Sequence, residues 1–179
     1  YLEIELVDSE DIQDTEEPKL KTVFLSYCQR DSDIADLIEQ HLQPHIKDKA
    51  RISRDIRDVE YHESFKKFMQ SIETHDYVIM LISDNYLKSR NCMFEVMEVV
   101  KDSQYQKKLA FIVLNDSDSQ YYKTTPSEPI GAKVYSLDGQ TSYTLFWTRY
   151  EKALQTQIDE IGDPTRAIHQ IKEKSIVQR

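Results

Sequence analysis

The chain has 179 residues, 39% of them apolar, enough for one domain with a real core and cramped for two. Its 32 acidic residues outnumber 23 basic ones for a net charge of −9, which excludes a general nucleic-acid or anionic-membrane surface, so any phosphate must be gripped locally. No apolar run approaches the ~18 residues of a membrane span, no signal-peptide pattern opens the chain, and a first residue other than Met suggests a piece of a longer protein.

Residues 1–19 carry acids from Glu3 to Glu17 with no basic residue before Lys19, which reads as an acidic linker or tail. From Lys21 strands and helices alternate. "TVFLSY" is a short apolar first strand, and "DSDIADLIEQHL" follows with Ile34, Leu37, Ile38 and Leu42 at helical spacing behind the cap candidates Asp31 and Ser32. "ARIS" is a weaker second strand, and "ESFKKFMQSIETH" sets Phe65, Phe68, Met69 and Ile72 on one helical face. "DYVIMLIS" is apolar at consecutive positions, as a strand covered on both faces should be. "SDNYLKSRNCMFEV" supplies the third helix and "KLAFIVLN" the fourth strand. Asp116 to Gly131 carries no clear element, and "AKVYSL" is expected as a fifth strand. The helix after it aligns Trp147, read as core, with Tyr150, Leu154, Ile158 and Ile161, and stops at Gly162 and Pro164. Residues 162–179 read as a terminal helix or a link to a further domain.

This alternation implies right-handed crossovers and a mostly parallel α/β sheet with helices on both faces. In that architecture the loops after the strands gather on one edge, where ligands bind. Three loops matter: Ser26 to Arg30, Arg54 to His62, and Ser83 to Asn91.

Several chemistries fall away. Three glycines, Gly131, Gly139 and Gly162, cannot build a P-loop or a dinucleotide fingerprint. The five histidines make no metal-binding spacing, and no G-x-S-x-G elbow occurs. Cys28 and Cys92, also without ligand spacing, read as small buried residues in a reduced, cytoplasmic compartment.

"TVFLSYCQRDSDIADLIEQHL" and "ISRDIRDVEYHESFKKFMQSIETHDYVIMLISDNYLKSRNCMFEVMEV" together resemble a TIR domain of the bacterial type. The likeness rests on the F-[IL]-S-[YF] first strand, the R-D opening of the BB loop and the S-x-x-Y-x-x-S-x-x-C-x-x-E segment, and by element order it spans residues 20–161. It implies a flavodoxin-like parallel sheet of five strands, self-association through TIR–TIR contacts, and, as in many members, cleavage of NAD at the nicotinamide bond in antiviral defence signalling or NAD depletion. NAD is then the substrate and no cofactor is required. The family's catalytic glutamate falls on Glu95. A non-catalytic TIR scaffold is the competing reading, since one fold hosts both functions; cleavage of another nucleoside's glycosidic bond is a third.

One carboxylate suffices for the NAD reaction. Breaking the bond between nicotinamide and ribose builds positive charge on the sugar, while the departing ring leaves neutral and needs no acid; one anion beside the developing oxocarbenium is the main requirement. Reach sets a condition. A helix starting at Asn85 would put Glu95 about 15 Å below the ligand edge, whereas a start at Ser89 brings it within about 9 Å, so a break near Ser89 is expected. Glu98, one turn on, is the solvated control. The remaining substrate-binding candidates are Ser26, Tyr27 and Arg30 on the first loop, Asp55 and Arg57, with Arg54, on the second, and Ser89, Asn91 and Cys92 before the glutamate. Asn91 stands where many active family members carry Trp, and the second loop lacks the Pro or Gly usual near its tip.

Overall fold

The computed structural model describes residues 20–54, 74–93, 96, 107–163, 165 and 167–178. The expectations for the acidic segment 1–19, for the helix at 63–75 except its last residues, and for Asp55, Arg57, Glu95 and Glu98 lie outside the described residues.

Among the described residues, four strands form one parallel sheet: β1 (Lys21–Ser26), β2 (Ala50–Arg54), β3 (Tyr77–Ile82) and β4 (Leu109–Val113), in the order β2-β1-β3-β4. Helices whose bounds fall within the described residues are α1 (Ser32–Ile46), α2 (Asp84–Lys88), α3 (Leu137–Ile161) and α4 (Ile168–Val177). The chain builds outward from β1 to β2 and then returns to lay β3 on β1's other side. Strand order therefore reverses between β1 and β3, and the loops leaving their carboxyl ends diverge, which opens a crevice at that edge.

Strand alternation splits the core between two faces. Val23 and Leu25 of β1 join Leu81, Ile52 and the α1 residues Ile34 and Ala35 on one side. Phe24 joins Val78, Met80, Ile82 and Tyr86 on the other. Each large side chain so buried contributes about 1.5–3 kcal/mol relative to exposure. At the amino-terminal edge, Asp76 accepts from Thr22 N at 2.8 Å, Thr22 Oγ1 at 3.1 Å and Lys21 Nζ at 2.9 Å, fastening the entry of β3 to β1. Along β2, the Gln43 amide donates to Ala50 O at 3.1 Å and accepts from Ile52 N at 2.8 Å.

The expected fifth strand at 132–137 does not form; the segment is a turn that runs into α3. Ala132 N reaches Leu114 O at 2.8 Å, but then the ladder groups are claimed by α3: Lys133 N donates to Tyr143 Oη at 3.2 Å and Val134 O accepts from Gln140 Nε2 at 2.8 Å. The fold-back is tight, since a Cβ at Gly139 would lie 2.0 Å from Lys133 O. Ser136 caps α3 by accepting from Gly139 N at 3.1 Å, and the helix ends at Gly162 with φ 64°, as the sequence implies. Trp147 is half-buried rather than core, its indole donating to Leu87 O at 3.0 Å to fasten α3 to α2. The polar stretch after β4 contains a 3-10 turn at Asp116–Tyr121, opened by a capping box between Asn115 and Asp118.

Candidate functional site

The loop leaving β1 begins in the core. Ser26 is buried and shares a 3.1 Å hydrogen bond with the hydroxyl of fully buried Tyr86. Tyr27 is half-buried against the α1-side core, with the Arg54 guanidinium 5.8 Å from its ring centre. Arg54 itself is held by Asp36 and Glu39, each at 2.7 Å. After these, Cys28 caps a 3-10 turn at Gln29–Asp31 that turns Arg30 out to the rim and Asp31 into the interior.

Asp31 is the knot of the edge. It is fully buried, and its carboxyl accepts from Ser83 Oγ at 2.5 Å, Asn85 Nδ2 at 2.8 Å and Tyr122 Oη at 2.8 Å. The loops after β1, β3 and β4 are thereby tied to one oxygen pair. Burial and the adjoining Asp31 push the Tyr122 phenol far above its ordinary range, so it stays a donor.

Ser83 also opens α2, accepting from Tyr86 N at 2.9 Å. The helix stops at Ser89, whose φ −84° and ψ 119° are extended. A new turn starts there: Met93 N donates to Ser89 O at 3.0 Å and Cys92 N to Ser89 Oγ at 3.4 Å. The expected break is present, and Ser89 serves as its cap.

Between these loops lies a cavity of about 330 Å3. Cys28 and Arg30 line it from the first loop, Asp84, Asn85, Lys88 and Ser89 from α2 and its end, and Glu128 from the loop after β4. Its charges are mixed, with Lys88 paired to Asp84 at 2.7 Å. Asp84 also accepts from Tyr143 Oη at 3.0 Å, and burial with the neighbouring carboxylate pushes that phenol up to about 12.

Of the sequence candidates, Arg30 and Ser89 meet at this cavity. Ser26 and Tyr27 are not among its lining residues; Asn91 is half-buried and accepts from Arg90 Nε at 3.4 Å; Cys92 is buried beneath, in the same core cluster as Cys28. Asn85, Lys88 and Glu128 were not singled out from sequence. The first two stand in the segment expected to shape the site, but nothing distinguishes Glu128 within its polar stretch. Among the described residues no cluster of His, Cys, Asp or Glu fits a metal ion, and no helix is long and apolar enough to cross a membrane.

One more cluster bears on the turn at Ser89. Arg90 Nη1 pairs at 2.7 Å with Glu173 of α4, a buried carboxylate that also accepts from Tyr150 Oη and lies 3.7 Å from His169 Nδ1.

A family model described as TIR domain matches residues 23–157. The comparison with curated proteins returns no match, and neither does the comparison with solved structures.

Proposed function

The chain belongs to the TIR domain family, and from that premise we propose that it is an NAD glycohydrolase or cyclase with Glu95 as its catalytic carboxylate. The observation that carries the reading is the cavity at the reversal of strand order, bordered by a helical turn that restarts at Ser89. Glu95 follows Ser89 by six residues in the sequence, a rise of about 9 Å if the helix runs on.

In this mechanism the nicotinamide–ribose bond breaks with its electron pair going to the cationic ring, which leaves neutral. The Glu95 carboxylate stabilises the oxocarbenium left behind and orients the ribose hydroxyls. Arg30 and Lys88, the cations on the rim, meet the diphosphate, while Ser89 borders the sugar; Asn91, outside the cavity lining, remains a candidate from sequence. Water attacking the cation gives ADP-ribose; attack by the adenine of the same molecule gives a cyclic isomer. A cavity near 330 Å3 lies within the ~300–1,000 Å3 usual for small-molecule sites and suits one half of a dinucleotide. Asp55 and Arg57 remain candidates for ribose and diphosphate from the second loop. Self-association of the domain and a role in antiviral signalling belong to the same proposal.

Incubating NAD with wild type and Glu95→Ala, dilute and crowded, and following nicotinamide by chromatography tests it. Release by wild type and none by the variant is expected; no release from wild type under any crowded condition overturns the enzyme reading. The scaffold reading draws on a separate feature. A groove of about 730 Å3 runs along α3 beside Leu145, Phe146 and Arg149, and Tyr135 and Leu137 near the helix start are 85% and 78% exposed. Concentration-dependent self-association without NAD turnover would favour it.

A further inference from the structure

The proposed NAD chemistry makes no use of the pairing of the chain's two cysteines. Cys28 leaves β1 at the wall of the cavity, and Cys92 sits in the first turn after Ser89; neither is in a disulfide, and they are 8% and 5% exposed, in one core cluster with Phe24, Met80 and Tyr86. They are far apart in sequence and share one side of the sheet, both packed into the core cluster that backs the cavity. The neighbouring Cys92 thiol, then the Arg30 backbone N–H and guanidinium, hold the Cys28 thiol below its ordinary range, against the opposing pull of burial and of Asp31. A cavity-lining sulfur with Arg30 on the same wall and a second thiol in the core cluster behind it has the parts of a redox pair: an attacking thiolate, access for a small oxidant and a resolving partner.

We propose that Cys28 and Cys92 form a reversible thiol–disulfide couple, with Cys28 attacking a hydroperoxide admitted through the cavity and Cys92 resolving the product. The Cys28 thiolate attacks the outer peroxide oxygen, the O–O bond breaks, and the leaving alkoxide or hydroxide takes a proton; Cys28 is now a sulfenic acid. The Cys92 sulfur then attacks the Cys28 sulfur, the S–O bond breaks, and water leaves with the Cys92 proton. Two thiols have lost two electrons and the peroxide has gained them. The bond ties the loop after β1 to the turn at Ser89, on either side of the site's floor. A thiol reductant reverses it by exchange.

The test reads the bond itself, so it stands apart from NAD turnover. The full chain is treated with hydrogen peroxide, alkylated, digested without reduction and examined by mass spectrometry. A peptide linking Cys28 to Cys92, absent after dithiothreitol, is expected in wild type. Cys92→Ser should lose the link and leave a Cys28 sulfenic acid that dimedone traps; Cys28→Ser should lose the link and leave Cys92 a thiol. The rate in wild type should level off at a pH below that of free cysteine. Both wild-type thiols remaining alkylatable after peroxide treatment and denaturation, or disulfides forming only between chains, would overturn the proposal without recourse to the variants.

Discussion

Ser83 donates its hydroxyl to Asp31 at 2.5 Å, joining the loop after β3 to the loop after β1 inside the protein. With Asn85 and Tyr122 on the same carboxyl, three loops that diverge from the sheet share one buried anchor.

Removing that anchor should be costly. Asp31→Ala leaves three buried or half-buried donors without their acceptor and should lower the unfolding free energy by about 3 kcal/mol in urea titration, whereas Tyr122→Phe removes one donor and should cost about 1 kcal/mol. Equal effects would mean that the three bonds do not act through Asp31.

Acid should loosen the carboxyl-terminal helix. Burial alone would raise the Glu173 carboxyl, but the Tyr150 hydroxyl and Arg90 outweigh it and hold Glu173 below its ordinary range. A depressed carboxylate contributes stability above its unfolded value, about 4.3, and that contribution is lost as pH falls through the folded value. The thermal midpoint of wild type should therefore drop more steeply from pH 5 to about pH 3 than that of Glu173→Gln.

At the opposite edge of the sheet, the Lys21 ammonium and the Thr22 amide hold Asp76 down at about 2. By the same sign, its contribution is complete above the ordinary aspartate value near 3.9 and fades toward pH 2. Asp76→Asn should flatten the acid limb of the stability profile there while leaving nicotinamide release untouched, since Asp76 lies at the amino-terminal edge.

For the proposed reaction, Glu95→Ala should reduce kcat by at least about 100-fold, the scale expected when a group stabilising transition-state charge is removed. Glu98→Ala should retain most activity. Arg30→Ala, which removes a rim cation, should raise KM several-fold with kcat nearly held, the signature of lost uniform binding. A matching collapse in the Glu98 variant would point to folding or assembly instead.

Much of the architecture was legible because local pattern and tertiary demand agreed. The apolar runs at Thr22–Ser26 and Tyr77–Ile82 became β1 and β3, and the Ser89 break was expected from the reach that Glu95 needs to the ligand edge, with Ser89 available as a cap. Legibility failed where a side chain's partner was remote in sequence. Asp31 looked like a helix cap and stands at the cap position, yet makes no side-chain cap bond, because Ser83, Asn85 and Tyr122 claim its oxygens. "AKVYSL" has strand-like composition, but Tyr143 and Gln140 take the groups a ladder would use. That Cys28 and Cys92 fall in one core cluster has no local signature at all.

Gln43 imitates a neighbouring strand, offering one donor and one acceptor to Ala50 and Ile52 on the outer margin of β2. A second molecule approaching that margin finds these two groups already matched and cannot extend the sheet through them without first displacing the amide. Pairing of another strand is therefore disfavoured along that stretch of β2, and the sheet is not lengthened there.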